Sequence, residues 1–173
     1  PYGYRLKKIV SNGQKHTVLE QDPVESAVVR QFFEWYLEPG GTVYKILQKA
    51  DAQNIMTRKG KSWTSRVVSD ILSKPVYAPN TMDIYNYYAS QGVKLRIAPE
   101  QCDGTQSVNL FGKRDRGSKH PKRSRPASEM TFAIAQHQPI IDSDQFLRVQ
   151  FKKKATLATT PRSGTSRNTI LSG

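Results

Sequence analysis

Apolar residues along this chain change their spacing several times, and each change marks a different element. Residues 4–10 and Val18-Leu19-Glu20-Gln21 read as two strands, with Ser11-Asn12-Gly13-Gln14 as the hairpin turn between them. A helix opens at Asp22-Pro23-Val24-Glu25. Asp22 caps it, Pro23 takes the first helical position, and Glu25 is placed to bond back to the cap. The stripe Val24, Val28, Phe32, Trp35 and Tyr36 predicts its core side, and Pro39-Gly40-Gly41 stops it at about Glu38. Thr42 caps a second helix that turns Val43, Ile46, Leu47 and Ala50 inward and ends at Asn54-Ile55-Met56. The basic turn Thr57-Arg58-Lys59-Gly60-Lys61 follows. A third helix then starts on a cap at Ser62 or Thr64, faces Val67, Val68, Ile71 and Leu72 toward a core, and halts at Pro75.

Beyond Pro75 the pattern shortens. Val76-Tyr77 suggests a brief strand, with Pro79-Asn80 as punctuation. Asp83 is placed to cap a helix over 84–91 that stops at Gly92, and residues 93–98 alternate like a strand. Residues 101–128 are polar and rich in turn formers, apart from Val108-Asn109-Leu110-Phe111. Residues 130–135 read as a strand. Asp142 caps a final helix that carries Phe146, Val149, Gln150 and Phe151 and finishes in Lys152-Lys153-Lys154, cations suited to a helix C-terminus. The expected fold is α+β. A helix-turn-helix-like subdomain covers about 1–75, a strand-and-helix part covers about 76–155, and a linker or tail covers 156–173.

The charge balance points to a partner. Among 173 residues there are 27 Lys+Arg against 14 Asp+Glu, a net +13 with pI near 10.0. Such a chain favours a polyanion, with DNA or RNA ahead of an anionic membrane. Cys102 is the single cysteine, so no internal disulfide forms, and one cysteine with three scattered histidines makes no zinc cluster. No run is apolar enough to span a bilayer and no signal-peptide pattern opens the chain, so a cytoplasmic setting fits. No spacing suggests a Ser–His–Asp arrangement or clustered carboxylates for a metal, and no cofactor is expected. His16, His120 and His137 read as structural or exposed, and Cys102 as a buried or idle thiol.

The third helix has the chemistry of a groove reader. Thr64, Ser65, Arg66 and Ser69 fall opposite its apolar side and are candidates for base edges. Arg66 can pair with guanine or, alternatively, with Asp70 one turn on. Arg58, Lys59 and Lys61 can meet phosphates beside the groove, helped by the positive helix end. Trp63 reads as a core anchor rather than a base-stacking ring. Arg5 can touch phosphate or the minor groove, or Tyr2 and Tyr4 can simply pack the hairpin. Lys113 to Arg125, including Lys119, Lys122, Arg123 and Arg125, forms a basic run suited to nonspecific phosphate contact.

The order of these motifs resembles the recombinase domain of large serine recombinases, the family of phage integrases and some transposon enzymes. The resemblance lies in Pro1-Tyr2-Gly3-Tyr4-Arg5, in Asp22-Pro23-Val24-Glu25 with Val28-Val29-Arg30 and Phe32-Phe33, and in Ile46-Leu47. It continues in Gly60-Lys61-Ser62-Trp63 with Val67-Val68 and Ile71-Leu72, in Pro75-Val76-Tyr77, in His137 to Asp142, and in Phe146 with Val149-Gln150. Lys74 departs from the family's usual Asn and Pro79 from its frequent Gly, and 81–128 is longer than in many members. The resemblance implies binding of double-stranded DNA at attachment sites, alongside other recombinase subunits, in a bacterial or phage-encoded system. It also implies a serine-bearing catalytic domain before Pro1 and a cysteine-rich zinc ribbon after Ile170-Leu171-Ser172-Gly173, so this chain is expected to be a piece of a longer protein and not itself an enzyme. Two other readings stand beside it. One is a free-standing transcription regulator or excision accessory factor. The other is a basic RNA-binding protein, for which Tyr85, Tyr87 and Tyr88 would offer stacking rings.

Overall fold

A computed structural model describes residues 1–11, 13–112 and 125–159. The fold is α+β. Strands β1 (Tyr4–Ser11) and β2 (Gln14–Gln21) pair antiparallel from Tyr4↔Gln21 to Ser11↔Gln14, and Gly13 just before β2 lies at φ +74°. Helices α1 (Pro23–Leu37), α2 (Val43–Ala52) and α3 (Ser65–Ser73) follow. Then come β3 (Pro79–Thr81), α4 (Met82–Ala89), β4 (Lys94–Leu95), β5 (Asp103–Phe111), β6 (Thr131–Ala135) and α5 (Ser143–Thr159). The second sheet has the order β3-β5-β6-β4, with β4 parallel to β6 and the other pairs antiparallel.

Helix α1 is the spine of the core. Asp22 caps it as expected, its Oδ1 accepting from the backbone N–H groups of Val24 and Glu25 at 3.1 and 3.0 Å. Its buried side carries Val28, Val29, Phe32, Phe33, Trp35 and Tyr36. Val24, expected in the core, is 73% exposed, because it lies at the edge of a stripe centred between Phe32 and Tyr36. Ile46 and Ala50 of α2, Val68, Ile71 and Leu72 of α3, and Phe146 and Val149 of α5 close around it. Val67 is likewise an edge position, 42% exposed.

The strand-and-helix part departs most from expectation. Pro75–Tyr77 forms a 3-10 turn rather than a strand, with Pro75 at its first position and Ala78 N bonded back to Pro75 O, and β3 begins at Pro79 instead. Helix α4 starts at Met82, and no side chain caps it. β5 runs for nine residues through Gly104-Thr105-Gln106-Ser107, where the sequence suggests turns. Its pairing on both edges, to β3 and β6, supplies the order that its polar side chains do not announce. Helix α5 extends to Thr159, past the expected end at Lys154, and the hydroxyls of Thr156 and Thr159 bond back to Lys152 O and Ala155 O.

One carbonyl joins the two sheets. Val76 O accepts from the Ser107 hydroxyl at 2.7 Å, lies 3.0 Å from His137 Nε2, and stands 3.2 Å from the Tyr4 hydroxyl oxygen, whose one proton has the nearer acceptor Gln138 O. A carbonyl cannot donate, so Nε2 carries the proton. His137 is therefore structural, and burial pushes its pKa down.

Candidate nucleic-acid interface

The turn at 57–61 is closed on itself and then fastened to the protein. Thr57 N donates to Lys61 O at 2.9 Å, Thr57 Oγ1 donates to the same oxygen at 2.9 Å, and Lys61 N returns a bond to Thr57 Oγ1 at 3.2 Å. Gly60 sits at φ +64° to complete the bend. Arg58 then points back. Its Nε and Nη2 pair with Oε1 and Oε2 of Glu25, and Nη2 also donates to Tyr4 O. The hydrogen bonds that Arg58 donates to the Glu25 carboxylate raise its pKa above its ordinary value.

Glu25 thus holds a different place from the one expected. Instead of returning to the Asp22 cap, its Oε2 accepts from Gly3 N at 2.9 Å. Gly3 is at φ +90°, and a Cβ there would stand 2.9 Å from Ile140 Cδ1. The hydroxyl of Tyr77 donates to Tyr2 O at 2.9 Å, and that of Tyr4 to Gln138 O at 2.9 Å. Residues 1–5 are consequently a docked segment, and desolvation pushes the Tyr2 hydroxyl up to about 12.

With Arg58 engaged by Glu25 and Tyr4 O, Lys59 and Lys61 are left exposed at the head of α3 without such partners among the described residues. Thr64 is the N-cap, its Oγ1 accepting from Val67 N at 3.4 Å. Trp63, 6% exposed, sits edge-on to Phe32 and Tyr2 with ring centroids 5.0 and 4.7 Å apart, so it is the expected core anchor. The side of α3 away from the core carries Ser65, Arg66 and Asp70, all exposed. No described residue forms an ion pair with Arg66, so the alternative of a bond to Asp70 is not the one adopted. An uncommitted guanidinium beside two hydroxyls and a carboxylate gives donors and acceptors in the mixture that base edges require.

Ser69 is the exception on that side. It is half-buried, and Lys153 of α5 donates to its carbonyl at 2.9 Å and its hydroxyl at 3.0 Å, and also to Ser73 Oγ. Burial pushes the Lys153 pKa down. Lys152 caps α1 from the same helix, donating to Tyr36 O at 2.6 Å and Glu38 O at 3.3 Å. The lysines expected merely to answer their own helix dipole instead clasp two neighbouring helices. No local pattern reports such contacts, which span 78 or more positions by the measure of Gln150 Nε2 on Leu72 O in the same seam.

The remaining expected contacts are dispersed. Arg5 pairs with Glu20 across the ribbon at 3.2 Å. Arg125 lies 3.7 Å from Glu129. Lys119, Lys122, Arg123 and His120 fall outside the described residues. Tyr85 and Tyr88 pack on Phe132, and Tyr87 packs on Phe151, so these rings are engaged by the fold rather than laid out as an open stacking surface. Among the described residues no helix is long and apolar enough to cross a membrane.

Compared with known proteins, residues 23–156 match the family model described as Recombinase. No curated protein matches the chain.

Proposed function

The chain belongs to the recombinase-domain family of the serine recombinases, and from that premise we propose that it binds duplex DNA at particular sequences, as the attachment-site reader of a site-specific recombinase. Helix α3 lies in the major groove with Ser65 and Arg66 at base edges and Thr64 beside them. Lys59 and Lys61 hold phosphates at the groove's rim. Arg58 fixes the turn that presents them, and Ser69 rests against α5. The chain places DNA, while cutting and joining belong to a catalytic serine supplied elsewhere, and further recombinase subunits act on the same site in the cytoplasm.

The single observation that carries this reading is the exposed Ser65–Arg66–Asp70 side of a short helix whose other side buries Val68, Ile71 and Leu72, with Lys59 and Lys61 at its positive end. Selection from a randomised duplex pool, followed by a salt titration on the winners, tests it. Enrichment of a shared half-site and a log–log salt slope of about −0.9 per phosphate neutralised are expected. Equal retention of every sequence, or an affinity indifferent to salt, refutes it.

A further inference from the structure

β1 and β2 make a ribbon that no other described strand joins. Burial falls along it. Val18 to Gln21 are half-buried at the root, whereas Gln14 to Thr17 are exposed toward the tip. Eight extended residues reach about 25 Å at ~3.3 Å each. Between positions 4 and 21 lie the cations Arg5, Lys7, Lys8 and Lys15 against the single acid Glu20.

Strand alternation sorts these charges into two faces. Arg5 and Lys7 share a face with Glu20, which pairs with both at 3.2 and 2.6 Å. The hydrogen bond from Lys7 holds the Glu20 carboxyl below its ordinary pKa. Lys8 and Lys15 occupy the opposite face, where no described acid meets them. Leu6 and Val10 stand beside them, 75% and 70% exposed. The root of the ribbon is fastened at Tyr4 O by Arg58, from the very turn that carries Lys59 and Lys61. The ribbon and the head of α3 therefore present cations from one braced unit.

We propose that the β1–β2 ribbon is a second DNA-contacting element, with Lys8 and Lys15 on duplex phosphates and Leu6 and Val10 against the sugars between them. This rests on the duplex-binding reading of α3. An unpaired cationic face with apolar neighbours matches a sugar-phosphate backbone, whose charge is regular and whose sugars are apolar. A two-stranded ribbon also has the width that a major groove admits.

The test uses the full chain, a labelled mixed-sequence duplex and the pool-selected site. The Lys8→Ala/Lys15→Ala variant is expected to lower the magnitude of the salt slope by about 1.8 and to weaken both duplexes alike, with Lys8→Arg/Lys15→Arg restoring the slope. These side chains are exposed, so circular dichroism should match the parent. If the parent binds DNA and the alanine variant keeps its slope and affinity, the ribbon proposal falls and the α3 reading stands. If the parent retains no duplex, both fall. If Leu6→Ser/Val10→Ser dissociates a dimer by sedimentation while DNA affinity holds, the ribbon binds a second copy and the proposal is overturned.

Discussion

Glu25 and Arg58 stand 33 positions apart and meet as a two-point pair, each carboxylate oxygen on a separate guanidinium nitrogen. The pair ties the first turn of α1 to the bend before α3, and Tyr4 O brings in the ribbon. Only 13% of the Glu25 side chain is exposed, so these protein donors supply its hydrogen bonds in place of water.

Arg58→Ala should therefore act on stability rather than on the ionic component of DNA binding. It leaves Glu25 with the Gly3 N–H alone, which costs about 1–3 kcal/mol of folding free energy. Chemical denaturation of the variant measures the loss. An unaltered stability together with a reduced salt slope would return Arg58 to the phosphates. Arg58→Lys should recover little, because an ammonium cannot reproduce the fork.

Arg66 and Lys59 should separate reading from holding. Arg66→Ala should flatten preference among sites by roughly 1–3 kcal/mol at its base pair, while Lys59→Ala should weaken all sequences to the same degree. Competition binding across single-base variants of the selected site distinguishes them. Equal loss on every sequence for Arg66→Ala would strip it of its assigned role.

Gly3→Ala should destabilise the docked amino-terminal segment. The backbone at φ +90° disfavours any side chain, and the new Cβ would meet Ile140 Cδ1 at 2.9 Å and Val29 Cγ2 at 3.1 Å. Strain of this kind costs about 1–3 kcal/mol. A denaturant midpoint equal to the parent's would show that the segment can move aside.

His137 makes stability depend on pH. Burial lowers its folded pKa below the ordinary 6.5, so the unfolded chain takes up the proton first. Its contribution is complete above pH 6.5 and declines as pH falls from there through the lowered folded value. His137→Gln, which keeps a donor near Val76 O, should give a shallower decline over that window. Thermal unfolding across acidic buffers measures the slope, and identical slopes would remove His137 as its source.

Local signals made much of this legible. The Asn-Gly turn, the Asp-Pro start of α1, the Thr42 and Thr64 caps and the α3 stripe each act within a few residues, and each element appears where they place it. β5 was illegible because its order comes from neighbours on both edges, not from alternation of its own. The Pro75 turn was misread because two apolar residues suit a strand, while the backbone closes a 3-10 bond from Ala78 N to Pro75 O instead. Within the candidate site, the exposed Ser65 and Arg66 could be read from helical spacing. The pairing of Arg58 with Glu25 and Tyr4 O and the hold of Lys153 on Ser69 could not, since both join residues far apart in sequence. From the ribbon the sequence suggests only Arg5 as a contact, yet Arg5 lies on the face shared with Glu20, whereas Lys8 and Lys15 lie on the other, a distinction that needs the strand pairing.

Lys153 bears on the proposed recognition helix through its hold on Ser69. By gripping one flank of α3 it sets how far that helix can roll about its own axis. Under the duplex-binding proposal, the orientational entropy of aligning the outward side chains would be given up during folding, not at the moment of docking, leaving more of each contact to appear as affinity.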